Sequence, residues 1–544
     1  MRGPARRAKR LLRRFWRRAD PLVDFFDPAR ARCFPRDYDV IDGYKERFLD
    51  TARVFELFVK RCESITTGRA DEPVGVAVMP WFETPCPWFA VAIGLGLAQR
   101  GRSVVFVWHD MPFPEPSADL NLQNDEISKV MRKLKRRFPV LRLSQQSAES
   151  RGEVGDDALL DRLAEANLTW NLRGAAPSER DIRFGLRLRN TLADALPRVR
   201  SLMRDNGFRY AVVPAGVIGP SGLYLDEGRA AGVRVATFDA GLGWSIVNVD
   251  GVAAQQTDTP RAFKLLADDL QGRHGDVIEA AREEFERRRS GLDQSAYQLA
   301  RPSGLTTSAE PSILIPLSVV FDASALGRHH IFADSEEWLV ETISALLQQT
   351  RDRIVVRQHP SERRSTERSR FDVKTILRES FGSNSQVRFI AAEEDVSTYD
   401  LLDVSRLVLP FVSTIGIEAA ALGKPVIVCG SVYYADLGFV WAPSSREEYF
   451  ELLGRGASDG LPMLPDQVDR AWRCYYLNVA CNRVWTDFTP QPPDFWRWAA
   501  RQPDELYRDP GVDDILTSID ENVPLAILRH ERRQQSASTR ASNA

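Results

Sequence analysis

Short apolar runs recur along the chain, and each is followed by a polar turn and a stretch in which apolar residues have helical spacing. Such runs stand at 74–81, 103–111, 210–214, 233–241, 312–323, 353–358, 387–390, 407–411 and 426–429. Each has the length of a buried strand. Strands that alternate with helices build parallel sheets covered on both faces. The pattern therefore predicts an α/β protein with Rossmann-like, doubly wound sheets.

The strands fall into two groups on either side of the polar segment RPSGLTTSAEPS. At 544 residues the chain is long enough for two large cores. The predicted division is a basic amphipathic leader at 1–30, a helical lead-in at 31–72, a first Rossmann-like domain at 73–300, a linker at 301–311, a second Rossmann-like domain at 312–465, C-terminal helices at 466–524 and a disordered tail at 525–544. Two such domains face each other across a central cleft, which is the expected ligand site.

The segment 407–439, LVLPFVSTIGIEAAALGKPVIVCGSVYYADLGF, carries the clearest chemical signal. An apolar run ends at Ser413 and Thr414, a short helix follows over 415–422, and Gly423 fits the position just after a helix end. The turn places hydroxyl groups and unpaired backbone N–H groups at a helix N-terminus, where an anionic phosphate is favoured. We therefore expect a phosphate-bearing ligand at this turn.

Further polar side chains follow the other strands of the second domain. His359 comes just after the run RIVVRQ, and Pro360 stiffens the turn, so the imidazole can be held against a phosphate. A phosphate would favour the charged imidazole and raise the pKa of His359. Arg357 shares its strand face by alternation, and Glu418 could accept hydrogen bonds from ribose hydroxyls. Each residue alone could equally be a cap or a surface position, but together they favour a nucleotide site.

Candidate groups in the first domain also stand near strand ends. Asp239 lies at the end of the run VRVATFDAG, where side chains face the crevice of an open sheet, and it is the preferred catalytic carboxylate. An Asx turn beside a glycine is the alternative interpretation. His109 follows another strand, but a single histidine in such a place is usually structural. The glycines of 216–222 lack the full dinucleotide-binding pattern.

Composition argues against several classes of function. The chain has 73 Lys and Arg against 75 Asp and Glu, a net charge of −2, which gives no general attraction to nucleic acid. Six scattered cysteines, with no C-x-x-C pair, argue against a structural zinc site and suit a reducing compartment. No apolar stretch is long enough to span a bilayer. We expect a cytoplasmic protein with neither a metal ion nor a permanently bound cofactor.

The N-terminus differs from the rest of the chain because it is strongly basic. Nine Arg and Lys, and no acidic residue, precede Asp20. Apolar residues recur at helical spacing through 11–26, with arginines on the opposite face. Such a helix can lie flat on an anionic membrane surface, which would place the protein at the inner face of the cell membrane through residues 1–26. A helix packed on the protein body, or a disordered arm, is the alternative.

Two strings, IVVRQHPSE and STIGIEAAALGKPVIVCGSVYYADLGF, together resemble the capsule-polysaccharide-biosynthesis family of glycosyltransferases with two Rossmann-like domains in the GT-B arrangement. The segment ILIPLSVVFDASALG resembles the opening of the second domain of that family. The likeness is clear over about 310–440 and only architectural over 73–300. Ser-Thr-x-Gly-x-Glu followed by Gly-Lys-Pro-Val recurs in several sugar-nucleotide enzymes, and its pairing with Arg-x-His-Pro narrows the choice.

The resemblance implies roles for the matching residues. His359 and Pro360 would contact the donor phosphate. The Ser-Thr-x-Gly-x-Glu string would bind phosphate and ribose through Ser413, Thr414, Gly416 and Glu418. Some members of the family transfer Kdo from a CMP-activated donor, so a CMP-sugar is the donor that the resemblance favours.

The catalytic base is less well defined by the resemblance. Bacterial sialyltransferases of the same fold take it from an acidic-acidic-glycine string, and Asp226-Glu227-Gly228 matches that string here. This match falls inside a predicted helix rather than in a loop at a strand end. Asp239 is therefore the first candidate for the carboxylate, and Asp226 is the second.

The sequence thus predicts an enzyme, a glycosyltransferase that moves a sugar from a nucleotide-sugar donor to a capsular polysaccharide or glycolipid acceptor. Helix dipoles and cationic side chains would stabilise the leaving phosphate, so no metal is required. Two alternatives remain open. One is a GT-B-fold sugar-nucleotide epimerase, and the other is a non-catalytic nucleotide-binding scaffold of a polysaccharide assembly or export complex.

Overall fold

The computed structural model describes residues 44–68, 72–81, 86–112, 119–148, 153–241, 244–292, 312–364, 368–485 and 502–543. In chain order the strands are β1 (Val74–Val78), β2 (Val104–Trp108), β3 (Val140–Arg142), β4 (Tyr210–Pro214), β5 (Arg234–Gly241), β6 (Trp244–Asn248), β7 (Ser312–Pro316), β8 (Arg353–Arg357), β9 (Val387–Ile390), β10 (Ser405–Val408) and β11 (Val484–Trp485). The helices are α1 (Tyr44–Arg61), α2 (Cys86–Gln99), α3 (Asp119–Leu134), α4 (Asp156–Leu172), α5 (Glu179–Asp205), α6 (Ser221–Ala230), α7 (Thr259–Leu265), α8 (Ala267–Gly272), α9 (His274–Arg289), α10 (Ser335–Gln349), α11 (Val373–Phe381), α12 (Thr398–Val404), α13 (Ile415–Ala421), α14 (Arg446–Ser458), α15 (Gln467–Tyr475), α16 (Pro503–Tyr507), α17 (Pro510–Glu521) and α18 (Leu525–Asn543).

The first sheet has seven strands in the order β11-β6-β5-β4-β1-β2-β3. Strands β1 to β5 pair in parallel, whereas β6 and β11 add an antiparallel edge. All five residues of β1 and of β4 are buried, as expected for strands covered by helices on both faces. The βαβ opening predicted around β1, α2 and β2 is confirmed.

The second sheet has four parallel strands in the order β10-β7-β8-β9. Strand β7 lies inside the sheet and is buried along its whole length. The predicted run at 426–429 continues this edge by single parallel bridges, Val426 to Val408 and Ile427 to Trp441. Gly423 ends α13 with a φ of +74°, a left-handed conformation that suits glycine. The prediction of two α/β domains is confirmed.

The packing of the helices differs from the predicted division of the chain. Helix α9 lies within 73–300, yet its buried face joins the core of the second sheet through Val277, Ala281 and Phe285. Conversely, Val512 of α17 packs in the core of the first sheet. Apolar spacing shows that a helix has a buried face but not which sheet receives it, which is why α9 was assigned to the first domain and α17 to neither.

The predicted disordered tail at 525–544 is wrong, because α18 occupies Leu525–Asn543. Its first turns are buried from Leu525 to Leu528. His530 is also buried, and its Nδ1 lies 3.0 Å from the hydroxyl of Tyr476, while its Nε2 contacts the carboxylate of Asp269. The polar composition of the last residues hid the apolar start of this helix.

The basic leader at 1–30, with its expected membrane contact, lies outside the described residues. Among the helices that are described, none is both long and apolar enough to cross a membrane.

Candidate functional site

Strands β7, β8 and β10 are parallel, so they end at one edge of the second sheet. Two of the polar residues that the sequence analysis identified follow these strands. His359 comes shortly after β8, and Ser413 comes shortly after β10. Strand β7 lies between these two strands. The structure therefore brings the two polar turns to the same edge, which is where open α/β sheets bind ligands.

His359 is held in a defined orientation by the turn that follows it. Its side chain caps a 3₁₀ turn, Pro360–Arg363, because Nδ1 accepts a hydrogen bond from the backbone N–H of Ser361 at 3.3 Å and lies 2.7 Å from the hydroxyl of the same residue. With Nδ1 as the acceptor of a neutral ring, the ring proton is on Nε2. Burial, followed by the charges of Arg288 and Arg357, lowers the pKa of His359 to about 4. The imidazole is thus neutral at pH 7 in this structure, and the rise of its pKa beside a phosphate stays a prediction.

Arg288 and Glu418 form a partly buried ion pair across two helices. Nη1 of Arg288, near the end of α9, lies 3.5 Å from Oε1 of Glu418 in α13, and the two side chains are 14% and 2% exposed. Tyr399 of α12 directs its hydroxyl to the same oxygen of Glu418 at 3.4 Å. The charge of Arg288 also acts on His359. A cation therefore stands between the His359 turn and the start of α13.

Aromatic rings close the side of this ion pair that faces the core. Phe285, one turn before Arg288 in α9, makes edge contacts with Tyr399, Trp472 and Tyr475 at centroid distances of 5.4, 5.5 and 6.0 Å. The rings exclude water from one side of Arg288 and Glu418, which strengthens electrostatic interactions there.

The turn at Ser413 and Thr414 is held by a tyrosine that lies outside the Ser-Thr-x-Gly-x-Glu string. The hydroxyl of Tyr434 donates to the backbone carbonyl of Ser413 at 2.6 Å. A Cβ on Gly416 would lie 2.3 Å from that hydroxyl oxygen, so only glycine leaves room for it. Gly416 was predicted to contact the ligand; in the structure it makes room for the side chain that holds the turn in place.

Arg357 has a structural part in the site. Its guanidinium donates to the backbone carbonyls of Ala391 and Val396, in the segment that follows β9. The side chain is 1% exposed, and burial lowers its pKa to about 10. Alternation along β8 turns the side chain onto the segment after β9, and its contact with a ligand phosphate stays a prediction. Its charge still reaches His359.

Asp239 is placed differently from the prediction. Strand β5 continues through it to Gly241 and turns back as β6, with Asp239 opposite Ile246, so the residue is within a hairpin rather than after a strand. The charge of Asp239 adds to burial in raising the pKa of the Cys86 thiol, which shows that the two side chains are close. Cys86 begins α2. Asp239 therefore remains at the carboxyl edge of the first sheet, near a helix N-terminus.

Asp226 and His109 belong to packed parts of the first domain. Asp226 is in α6, as the sequence indicated, and pairs with Arg162 at 2.8 Å. The neighbouring Glu227 is buried against Arg200 at 2.8 Å, which gives the acidic string a structural function. Nδ1 of His109 lies 3.0 Å from the hydroxyl of Tyr224, and burial lowers the pKa of His109 to about 4.

Sequence reasoning missed Arg288, Tyr399 and Tyr434. Arg288 precedes the linker and was assigned to the first domain, so no motif connected it with Glu418. The two tyrosines approach through tertiary contacts that the spacing of residues does not reveal. Within the described part of the chain, no group of three or more His, Cys, Asp or Glu side chains could hold a metal ion.

Comparison with solved structures gives distant likenesses. A beta Kdo 2,4 transferase, KpsC of Thermosulfurimonas dismutans, is 15% identical, with 54% of this chain and 87% of that chain covered and a TM-score of 0.34. The S. aureus MnaA-UDP structure is 10% identical, with 83% and 97% covered and a TM-score of 0.27. UDP-GlcNAc 2-epimerase from Neisseria meningitidis bound to UDP-GlcNAc is 13% identical, with 74% and 95% covered and a TM-score of 0.26.

A family model gives a more local result. It is the model described as capsule polysaccharide biosynthesis protein, and it matches residues 287–451, from the end of α9 into α14. No curated protein matches the chain. The matched range contains Arg288, His359, Ser413 and Glu418 together. Residues 287–451 therefore carry the likeness to the capsule-polysaccharide-biosynthesis family that the two strings of the sequence predicted.

Proposed function

We propose that the protein is a glycosyltransferase of capsular polysaccharide synthesis that takes its sugar from a nucleotide-sugar donor. The observation that carries the proposal is the convergence of Arg288, His359 and the start of α13 at one sheet edge. Together they offer a guanidinium, an imidazole N–H and a helix N-terminus, all of which favour a phosphate. The family match over 287–451 supports the same class of reaction.

Transfer requires that the departing nucleotide be stabilised as its negative charge increases. In this proposal Arg288 offsets the charge of the leaving phosphate, and His359 donates a hydrogen bond through Nε2. Ser413 and Thr414 add hydroxyl groups at the first turn of α13. Fixed donors of this kind need no reorganisation during the reaction, and they replace a metal ion in this proposal.

Glu418 would have two functions in the donor site. Its contact with Arg288 orients the guanidinium, since the pair is 3.5 Å apart and largely withdrawn from solvent. Its position in the first turn of α13 also allows the carboxylate to accept a hydrogen bond from a ribose hydroxyl. The nucleoside would then lie along α13. A CMP-sugar is the first donor to test, with UDP- and GDP-sugars as the alternatives.

The acceptor, a polysaccharide or glycolipid, would bind against the first domain. Asp239 is the preferred base to remove the proton of the acceptor hydroxyl, because it stands at the carboxyl edge of the first sheet. Asp226, which pairs with Arg162, is the second candidate. Residues 1–26 would bring the enzyme to the anionic surface at the inner face of the membrane that carries a lipid-linked acceptor.

Release of free nucleotide from CMP-, UDP- and GDP-sugars, with and without a capsular acceptor, tests the proposal. We expect nucleotide release by the wild type and a loss of at least about tenfold in His359→Ala and Glu418→Ala. Binding of a nucleotide-sugar without transfer or hydrolysis would favour the scaffold. Epimerisation of the sugar without transfer would favour the epimerase.

A further inference from the structure

The strand between the two polar turns is followed by a serine to which the motifs assign nothing. Ser318 lies just beyond the end of β7. The side chain is partly exposed, yet its Oγ is buried and has no hydrogen-bond partner among the described residues. A buried hydroxyl without a partner is uncommon in proteins and calls for an explanation.

The strand register brings Ser318 to the same sheet edge as His359. Pro316 of β7 is level with Arg357 of β8, and the backbone N–H of Leu317 donates to the carbonyl of Arg357 at 2.9 Å. Ser318 is the next residue after this contact on one chain segment, and His359 follows Arg357 by two residues on the other. Since β7 and β8 are neighbours, both residues come at the same edge of the sheet.

The register on the other side of β7 leads to the second polar turn. Leu314 is level with Val408 of β10, and the backbone N–H of Leu409 donates to the carbonyl of Leu314 at 2.8 Å. Strand β7 lies between β10, which leads to the Ser413 turn, and β8, which leads to the His359 turn. Ser318, which follows β7, therefore comes at the edge of the sheet where these two turns meet.

We propose that Ser318 is a phosphate-binding residue that joins the two turns, its hydroxyl donating to the same phosphate that His359 and the start of α13 bind. A rotation about χ1 brings the hydroxyl of this partly exposed side chain towards the ligand. Bound phosphate supplies the partner that the hydroxyl lacks. This inference rests on the proposed function, since it takes a nucleotide to be the ligand.

The test is to titrate CMP, UDP and GDP separately into the wild type and Ser318→Ala, and to measure the thermal unfolding of both proteins. Because the hydroxyl has no partner in the fold, the variant is expected to keep or raise the melting temperature. Because a hydrogen bond to a charged phosphate is lost, affinity for the preferred nucleotide is expected to fall at least about tenfold. Ser458→Ala, at an exposed serine of α14, serves as the control and should bind as the wild type does.

Equal affinity of Ser318→Ala and the wild type would overturn the inference while leaving the donor site in place. A fall in both melting temperature and affinity would also count against it, because it would show that the hydroxyl supports the fold. If the wild type binds none of the three nucleotides, the proposed function itself fails.

Discussion

Nη1 of Arg288 lies 3.5 Å from Oε1 of Glu418, and this contact joins α9 to α13, the helix that carries the proposed phosphate-binding motif. The pair is largely buried, so the loss of one of its charges should be costly. Replacement of Glu418 by Gln should destabilise the protein by roughly 3 kcal/mol, because it breaks a buried ion pair. Urea unfolding at neutral pH measures the loss.

The neighbouring pair on the same helix provides the control. Arg289 and Asp403 are 2.7 Å apart, but their side chains are 34% and 42% exposed. Removal of this pair should cost at most about 1 kcal/mol. The double variant Arg288→Met/Glu418→Gln should lose less stability than the sum of its single variants. Additive losses would show that the two side chains do not interact.

The turn at Ser413 should be sensitive to a single methyl group. Gly416→Ala places a Cβ 2.3 Å from the hydroxyl oxygen of Tyr434, so we expect a loss of about 1–3 kcal/mol from overpacking. Adding Tyr434→Phe should recover part of this loss by removing the clashing atom. Gly454→Ala, whose new Cβ would meet nothing closer than 3.5 Å, should leave the melting temperature unchanged or raise it.

Stability should fall in mildly acidic solution because of buried neutral histidines. Burial lowers the pKa of His109 to about 4, against an ordinary value near 6.5. The contribution of neutral His109 to the free energy of unfolding is complete above pH 6.5. It is lost as the pH falls towards 4, because the histidine of the unfolded chain takes up its proton first. The wild type should lose up to about 3 kcal/mol more than His109→Gln over this interval. Identical pH profiles of the two unfolding free energies would contradict this account.

The last helix should support the fold only through its first turns. A chain ended after Pro524 loses the buried residues from Leu525 to Leu528 and the contacts of His530, so its melting temperature should fall by several degrees. A chain ended after Ser536 keeps them and should melt with the full-length protein. If both truncations behaved alike, the packing of α18 would not matter for stability.

The strands were predictable because their apolar runs are continuous and bounded by turns. Strand β4 lies where the run at 210–214 placed it, and α13 begins at Ile415 as predicted. The partners of the helices were not predictable, since the same apolar spacing suits either core. This is why α9 was assigned to the first domain.

The candidate site could likewise be predicted only in part, because tertiary partners cannot be read from the sequence. His359 and Ser413 could be found because each follows a recognisable strand, and parallel strands end at one edge. Arg288 could not, because it comes from a helix that the sequence separates from the motif by a linker. Asp239 was expected at the end of a strand, and no sequence pattern indicated the hairpin of β5 and β6 that contains it.

Binding of a nucleotide phosphate at the edge formed by Arg288, His359 and α13 can be measured by calorimetry. CMP, UDP and GDP are each titrated into the wild type, Arg288→Gln and the control Arg289→Gln. We predict that at least one nucleotide binds the wild type, that Arg288→Gln weakens its binding at least about tenfold, and that Arg289→Gln binds it as the wild type does. Absence of binding to the wild type, or equal binding to Arg288→Gln, would contradict the account.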